Sequence, residues 1–153
     1  MNDEPVRQFV DTIILIYAYV TAQGEKHAQA KALLLSLWES GLGCTSIQVL
    51  QEFYDNVTRK SDIPLLLEDA AQVIQDFSDW MVHRHGIKDV ISAVDLHQRQ
   101  KISFWDALIL QSARRSGCGI LWSEDLSDSQ DYSGLKVINP FKKLGGIFTG
   151  GIP

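Results

Sequence analysis

The chain has 153 residues, of which 45% are hydrophobic and 22% are charged, as is ordinary for a soluble globular protein. Its formal net charge is −5, which argues against high-affinity, non-specific binding to nucleic acid. The charge does not exclude a nuclease, because metal ions can bridge an acidic site to phosphates. The sequence contains neither a membrane-spanning stretch nor a secretory signal pattern, so we expect a cytoplasmic protein.

A single domain is predicted. The length fits one domain, and neither an internal repeat nor a low-complexity linker divides the chain. We assign the domain to residues 1–145 and interpret residues 146–153 as a flexible C-terminal tail. The two cysteines, Cys44 and Cys118, do not have the spacing of metal ligands, so we expect buried free thiols.

The first third of the chain predicts two strands and two intervening helices. A short apolar run ends at Val10, and the following "IILIYAYV", whose pattern fits strand or helix, is assigned to a helix after Asp11. Apolar residues at helical spacing predict an amphipathic helix over residues 25–40. The segment "LGCTS" predicts a very short strand. Thr45 and Gln48 then have the spacing of a capping box that opens the next helix.

The rest of the chain continues this alternation. The predicted elements, in order, are a helix from Pro64 to about Asp79, a strand at "WMVHR", a helix from about Asp89 to Gln98, a helix capped by Ser103 and ended by Gly117, and strands at "CGILWS" and "LKVINP". Short apolar strands separated by helices are typical of a parallel sheet covered on both faces. We therefore predict a three-layer α/β/α fold with a central parallel sheet of about four or five strands.

Four acidic residues are predicted near one edge of this sheet. They are Asp11 after the first strand, Glu52 two turns into the helix after the second, Asp106 in the first turn of its helix, and Asp125 after "CGILWS". Elements that leave the carboxyl ends of parallel strands converge on one edge, where ligands bind. Close like charges raise one another's pKa, and an Mg²⁺ or Mn²⁺ ion with hard oxygen ligands would resolve that conflict.

Each acid also has a purely structural interpretation. Asp11 would cap the helix that follows it, and Asp106, three residues after Ser103, would complement the helix dipole. Glu52 would be a solvated helix residue, and Asp125 would be a turn residue. Only the joint arrangement of the four acids favours a metal site over these interpretations.

These residues, in this order, resemble the PIN-domain family and, within it, the small VapC-like toxins. The matching segments are "FVDTIILIYAY", "TSIQVLQEFYDNVTRK", "ISFWDALILQSARRSGCGILWSEDL" and "GLKVINPF", which together span nearly the whole chain. The third segment is the most specific. The resemblance implies a PIN-like parallel sheet flanked by helices, and an endoribonuclease that depends on Mg²⁺ or Mn²⁺.

The resemblance also implies roles for particular residues. Asp11, Glu52 and Asp106 match the family's three main acidic positions, and Asp125 matches a fourth, more variable one. These acids would hold the metal, and a water activated by the metal would attack the phosphodiester bond. Two further positions beside the acids also match, namely Thr12 and Ser123.

Two points of the match stay open. The family often has asparagine two residues after the first aspartate, and here that position is Ile13, which cannot orient a carboxylate or a water. In "SEDL" either Glu124 or Asp125 is the fourth acid, and the register of the family favours Asp125.

The leading functional hypothesis is therefore a ribonuclease toxin. Its expected partners are an RNA substrate, a cognate antitoxin protein and a second copy of the chain in a homodimer. A second hypothesis is a catalytically weak or inactive PIN scaffold that binds RNA or protein, which Ile13 favours slightly. A third is a phosphotransferase of the haloacid-dehalogenase type, which would need an aspartate where Ile13 stands.

Overall fold

The central element of the fold is one sheet, seen in a computed structural model that describes residues 5–20, 24–60, 64–126 and 131–142. Over these residues the strands are β1 (Arg7–Val10), β2 (Gly43–Ser46), β3 (Met81–His83), β4 (Cys118–Trp122), β5 (Asp131–Tyr132) and β6 (Leu135–Ile138). Their order in the sheet is β3-β2-β1-β4-β6-β5. The strand β1 therefore lies inside the sheet, between β2 and β4.

Helices connect the parallel strands. Those described are α1 (Thr12–Tyr19), α2 (Glu25–Ser40), α3 (Ile47–Asp55), α4 (Leu67–Phe77), α5 (Ile87–Gln100) and α6 (Phe104–Arg115). A π-helical turn, Asn56–Lys60, extends α3. Helix α1 packs against α2 and α3, and α5 packs against α6. The order of strands and helices is the predicted one up to β4.

The predicted parallel sheet is confirmed. The five strands β1, β2, β3, β4 and β6 pair in parallel. The sixth strand, β5, pairs antiparallel with β6 through a hairpin and was not predicted. Its two residues are too few to show the alternation by which a strand is recognised in a sequence.

The apolar segments predicted around β1 form the core. Phe9 and Val10 in β1 and Ile14 and Leu15 in α1 have no exposed surface, at 0% each. A strand that is buried on both faces is apolar throughout, which is why "FV" carries no alternation, and the following "IIL" belongs to a helix that is buried in the core. The two free cysteines are buried, as expected. None of the helices in the described ranges has the length and apolarity needed to cross a membrane.

Several predicted boundaries need correction. Helix α4 begins at Leu67 rather than at Pro64, because Leu66 has extended backbone angles of φ −62° and ψ 145°. Helix α5 is longer than predicted and runs over Ile87–Gln100. The predicted tail, residues 146–153, lies outside the described residues, and the assignment of one domain to residues 1–145 stays a prediction.

The predicted capping box at Thr45 is wrong. Ser46 is the N-cap of α3, and its Oγ accepts a hydrogen bond from the Val49 N–H at 3.2 Å. Thr45 belongs to β2, and its Oγ1 instead donates to the Val10 carbonyl at 3.3 Å. The sequence "TS" offers two hydroxyl residues in a row, and the sheet register, which keeps Thr45 paired with Val82, decides between them.

We expect Ser46→Ala to lower the free energy of unfolding by about 1 kcal/mol, because α3 loses the oxygen that accepts from its first turn. Urea denaturation followed by circular dichroism measures this change. Thr45→Val is the matched comparison, since it removes the neighbouring hydroxyl and preserves the side-chain shape. Thr45→Val removes only the bond to the Val10 carbonyl, so the helical signal of α3 should persist in it, and an unchanged stability of Ser46→Ala would contradict the assignment of the cap.

Candidate active site

The predicted acids meet at the carboxyl edge of the sheet. Asp11 follows β1, and its N–H donates to the Trp122 carbonyl at the end of β4 at 3.0 Å. A cavity of about 300 Å³ opens at this edge, and the four predicted acids all line it: Asp11, Glu52, Asp106 and Asp125. Tertiary folding thus brings together carboxylates that are separated by up to 114 positions in the chain.

Asp11 is the most buried of these acids, with 6% of its surface exposed. Its Oδ1 accepts from the Thr12 N–H at 2.7 Å, and its Oδ2 accepts from the Ser123 hydroxyl at 2.8 Å. Its pKa is raised to about 6, chiefly by burial and in addition by the charges of Asp106 and Asp125, while the two hydrogen bonds act to lower it. Asp11 is therefore both the N-cap of α1 and a wall of the cavity.

Glu52 is held by hydrogen bonds to both carboxylate oxygens. The Thr12 hydroxyl donates to Oε1 at 2.7 Å. The Gln48 amide, one helical turn before Glu52, donates to Oε2 at 3.3 Å. The hydroxyl of Thr12 thereby joins α1 to α3, and the interpretation of Glu52 as a freely solvated helix residue is wrong.

Asp106 lies in the first turn of α6, with its side chain half-buried. The N-cap prediction for Ser103 is confirmed, since its Oγ accepts from the Asp106 N–H at 3.0 Å. Burial raises the pKa of Asp106, and the nearby charges of Asp125 and Glu52 raise it as well, while Ser103 lowers it. Asp106 therefore both complements the dipole of α6 and lines the cavity.

The loop after β4 separates the two candidates for the fourth acid. Glu124 does not line the cavity. Lys26 pairs with its Oε2, and the Tyr17 hydroxyl donates to its Oε1 at 3.2 Å. Asp125 is exposed and lines the cavity. The geometry thus favours Asp125, the choice made from the sequence, because Glu124 is already neutralised by Lys26.

The donors in the cavity fit a divalent ion that keeps part of its water. Carboxylate oxygens are the ligands that Mg²⁺ and Mn²⁺ prefer, and Asp11 and Asp106 have pKa values that are raised in part by like charges. Within the described ranges, no three or more His, Cys, Asp or Glu side chains form a group that could hold a metal ion. Such an ion would therefore use one or two carboxylates directly, as is usual for Mg²⁺.

The cavity also contains residues that the sequence interpretation missed or assigned differently. Gln48, Lys60 and Trp105 line it together with Ile13. The side chain of Trp105 lies at the rim of the cavity, with 60% of its surface exposed. Gln48 was assigned to a capping box, whereas its position four residues before Glu52 places the two side chains on one helix face. That spacing is the signal that could have identified Gln48.

The fold and the cavity together define a class of protein: a three-layer α/β domain with carboxylates clustered at the carboxyl edge of a parallel sheet. The chain belongs to the PIN domain family, whose model matches residues 9–127. The match includes all four predicted acids and ends before β5. The family resemblance read from the sequence is thus confirmed.

Two solved structures share this fold. One is described as a toxin-antitoxin complex from Klebsiella pneumoniae, with a TM-score of 0.65 and 20% identity over 89% of this chain and 99% of that one. The other is VapC20 of Mycobacterium tuberculosis, described as a sarcin-ricin loop cleaving toxin, with a TM-score of 0.60 and 24% identity over 77% of this chain and 89% of that one. No curated protein sequence matches the chain.

We expect Asp11→Asn to stabilise the metal-free protein at neutral pH. The pKa of Asp11 is about 6 in the folded chain and ordinarily 3.8, so ionisation of Asp11 lowers the folding stability by up to about 3 kcal/mol above pH 6. Because the folded pKa is raised, this penalty grows as the pH rises from about 4 to about 6. Urea denaturation in EDTA at pH 7.5 and at pH 4.5 measures the difference from wild type.

Asp79→Asn is the control for this comparison, since Asp79 is exposed and lies outside the cavity. We expect it to change stability little at either pH. A lower stability of Asp11→Asn than of wild type at both pH values would show that the Asp11 carboxylate supports the fold through its hydrogen bonds rather than straining it.

Proposed function

We infer that the chain is an endoribonuclease that depends on Mg²⁺ or Mn²⁺ and acts as the toxin of a toxin-antitoxin pair. The observation that carries this proposal is the convergence of four carboxylates on one cavity, with the pKa of its most buried member, Asp11, raised to about 6. The PIN domain match supports a nuclease. The two structural neighbours, both described as toxins or toxin complexes, support the toxin assignment.

In this proposal Asp11, Glu52, Asp106 and Asp125 form the catalytic and metal site, in which one or two of these carboxylates would bind the ion directly and the others would act through its waters. A bound divalent ion of this kind lowers the pKa of a water and stabilises the charge that develops on a phosphate. The chain itself contributes orientation: Thr12 and Ser123 each donate a hydrogen bond to a carboxylate. The buried position of Asp11 keeps its charge poorly solvated, so that it favours a bound cation.

The rim of the cavity offers groups suited to RNA. The exposed ring of Trp105 can stack on an unpaired base, an interaction that every base can make. Lys60 also lines the cavity, and an ammonium group there can contact a phosphate. A local positive group of this kind gives a chain with a net charge of −5 a contact for the RNA backbone beside the acidic cavity.

The partner in this proposal is a cognate antitoxin that covers the acidic cavity. Arg or Lys side chains of such a protein would complement the carboxylates and block access of RNA. The neighbour from Klebsiella pneumoniae is described as a toxin-antitoxin complex, which supports a partner of this kind. The homodimer stays a prediction, as does the cytoplasmic location.

The inactive scaffold is the second candidate, and one observation favours it. Ile13 presents an apolar side chain to the cavity, where a polar group would orient a carboxylate or a water. The phosphotransferase hypothesis is weaker, because the same isoleucine stands where it needs a second aspartate. We therefore treat the scaffold as the alternative that the first experiment must separate from the nuclease.

We expect the purified chain to cleave structured RNA in Mn²⁺ or Mg²⁺, and EDTA to abolish cleavage. Asp106→Asn should slow the reaction by about 10²- to 10³-fold, because the site loses one of the charges that stabilise the transition state. A gel assay of end-labelled RNA hairpins measures the rate, and Asp79→Asn is the matched control. Cleavage that persists in EDTA, or that is unchanged in Asp106→Asn, would overturn the proposal.

The same experiment separates the scaffold from the nuclease. Mn²⁺ binding by calorimetry without any cleavage would favour the scaffold, and restoration of cleavage by Ile13→Asn would then identify the missing amide as the reason. The absence of both cleavage and Mn²⁺ binding would contradict a metal site at these acids.

We expect Asp125→Asn to weaken Mn²⁺ binding about 10-fold or more and Glu124→Gln to weaken it less. Asp125 lines the cavity, whereas Glu124 is paired with Lys26 and acts on the site only through the loop. Titration calorimetry with Mn²⁺ measures both constants. A greater loss in Glu124→Gln would assign the fourth acid to Glu124.

A further inference from the structure

The amide of Gln48 is a buried polar group inside the wall of the acidic cavity. Gln48 lies in the first turn of α3, with 4% of its surface exposed, and it lines the cavity beside Asp11, Glu52 and Asp106. Its Oε1 is buried and has no hydrogen-bond partner among the described residues. A buried acceptor without a donor is unfavourable, so the presence of this unpaired oxygen needs a physical reason.

The orientation of this amide is determined by its surroundings. Its Nε2 donates to the Glu52 Oε2 at 3.3 Å and faces the Trp105 carbonyl at 3.5 Å. Both neighbours are pure acceptors, and an amide NH₂ group has two hydrogens to offer them. Turning the amide over would place Oε1 against a carboxylate and a carbonyl. The carbonyl end of Gln48 is therefore the end that lacks a partner.

The amide also completes the restraint on Glu52. Thr12 donates to one oxygen of this carboxylate at 2.7 Å, and Gln48 donates to the other. Thr12 belongs to α1 and Gln48 to α3, so the Glu52 carboxylate is held from two different helices. A carboxylate restrained in this way keeps its remaining lone pairs in a constant direction, which favours binding of a cation of fixed geometry.

The donor that Oε1 lacks is one that the proposed metal would bring. A Mg²⁺-like ion held by one or two carboxylates keeps several waters, and such waters are hydrogen-bond donors. We propose that Gln48 is a positioning residue for a hydrated divalent cation: its N–H groups hold Glu52, and its Oε1 accepts from a water of the ion's hydration shell. This inference rests on the proposed function, because it requires the divalent ion.

The alternative is a purely structural role, in which Gln48 only ties α3 to the start of α6 through Glu52 and the Trp105 carbonyl. The two roles predict opposite responses. A structural residue affects the stability of the metal-free protein and leaves the intrinsic metal affinity unchanged. A positioning residue affects the metal affinity, while loss of its unpaired oxygen costs the metal-free protein little.

The test uses Gln48→Met, which has a similar length and neither donates nor accepts as an amide does. Gln51→Met is the matched control, since Gln51 lies on the same helix with an exposed side chain. Mn²⁺ affinity is measured by titration calorimetry, and thermal unfolding is measured in EDTA. We expect Gln48→Met to bind Mn²⁺ about 10-fold more weakly than wild type, with an unfolding temperature in EDTA close to that of Gln51→Met.

Equal Mn²⁺ affinity in wild type and Gln48→Met would overturn the inference, and a lowered unfolding temperature with that equal affinity would establish the structural role. Should Gln48→Met fail to fold, Gln48→Asn decides, because it keeps an amide but withdraws it from Glu52. We expect that variant also to lose Mn²⁺ affinity, and an unchanged affinity would contradict us. Absence of Mn²⁺ binding by the wild-type chain would instead refute the proposed metal site itself, and this inference with it.

Discussion

The buried carboxylate of Asp11 is the group around which the acidic edge is organised. It sits at the end of β1, the strand that lies between β2 and β4, and its backbone N–H is bonded to the end of β4. Its two oxygens accept from Thr12 and Ser123. One residue thereby begins α1, aligns the ends of two strands and contributes the most buried charge of the cavity.

This arrangement lowers the folding stability and concentrates negative charge at the cavity. A carboxylate that is almost fully buried near two others is destabilised in its charged form, and two hydrogen bonds compensate for only part of that effect in Asp11, whose pKa stays raised. Residues that strain the apo protein in this way are concentrated at functional sites. The rest of the chain must supply the compensating stability, which it does through the apolar core around β1.

A second set of contacts holds the loop that carries Ser123 and Asp125. Lys26 of α2 pairs with Glu124 and lies 5.1 Å from the centroid of the Tyr17 ring. Tyr17 in turn packs edge-on against Phe141, with ring centroids 5.0 Å apart. These contacts join α1, α2 and the segment after β6 to a single turn of the loop. Glu124 thus contributes to the site by fixing its neighbours.

The sequence alone identified most of the fold and the acids. Buried parallel strands are short apolar runs, and such runs were visible at β1, β4 and β6. The two-residue strand β5 could not be predicted, because two residues are too few to show an alternation of apolar and polar side chains. The N-cap of α3 was misassigned to Thr45, because local spacing cannot tell which of two adjacent hydroxyl residues the sheet will use.

The sequence by itself determined which residue types are present and where they stand relative to strand ends, and this was enough to predict a parallel sheet with four acids at one edge, while the PIN-like fold followed from the family resemblance of four segments. Only the tertiary structure decided which polar groups hold them. The contacts between Thr12 and Glu52 and between Ser123 and Asp11 span 40 and 112 positions, and the orientation of Gln48 depends on a carbonyl 57 positions away. Contacts at such separations follow from strand register and helix packing, which no local pattern encodes.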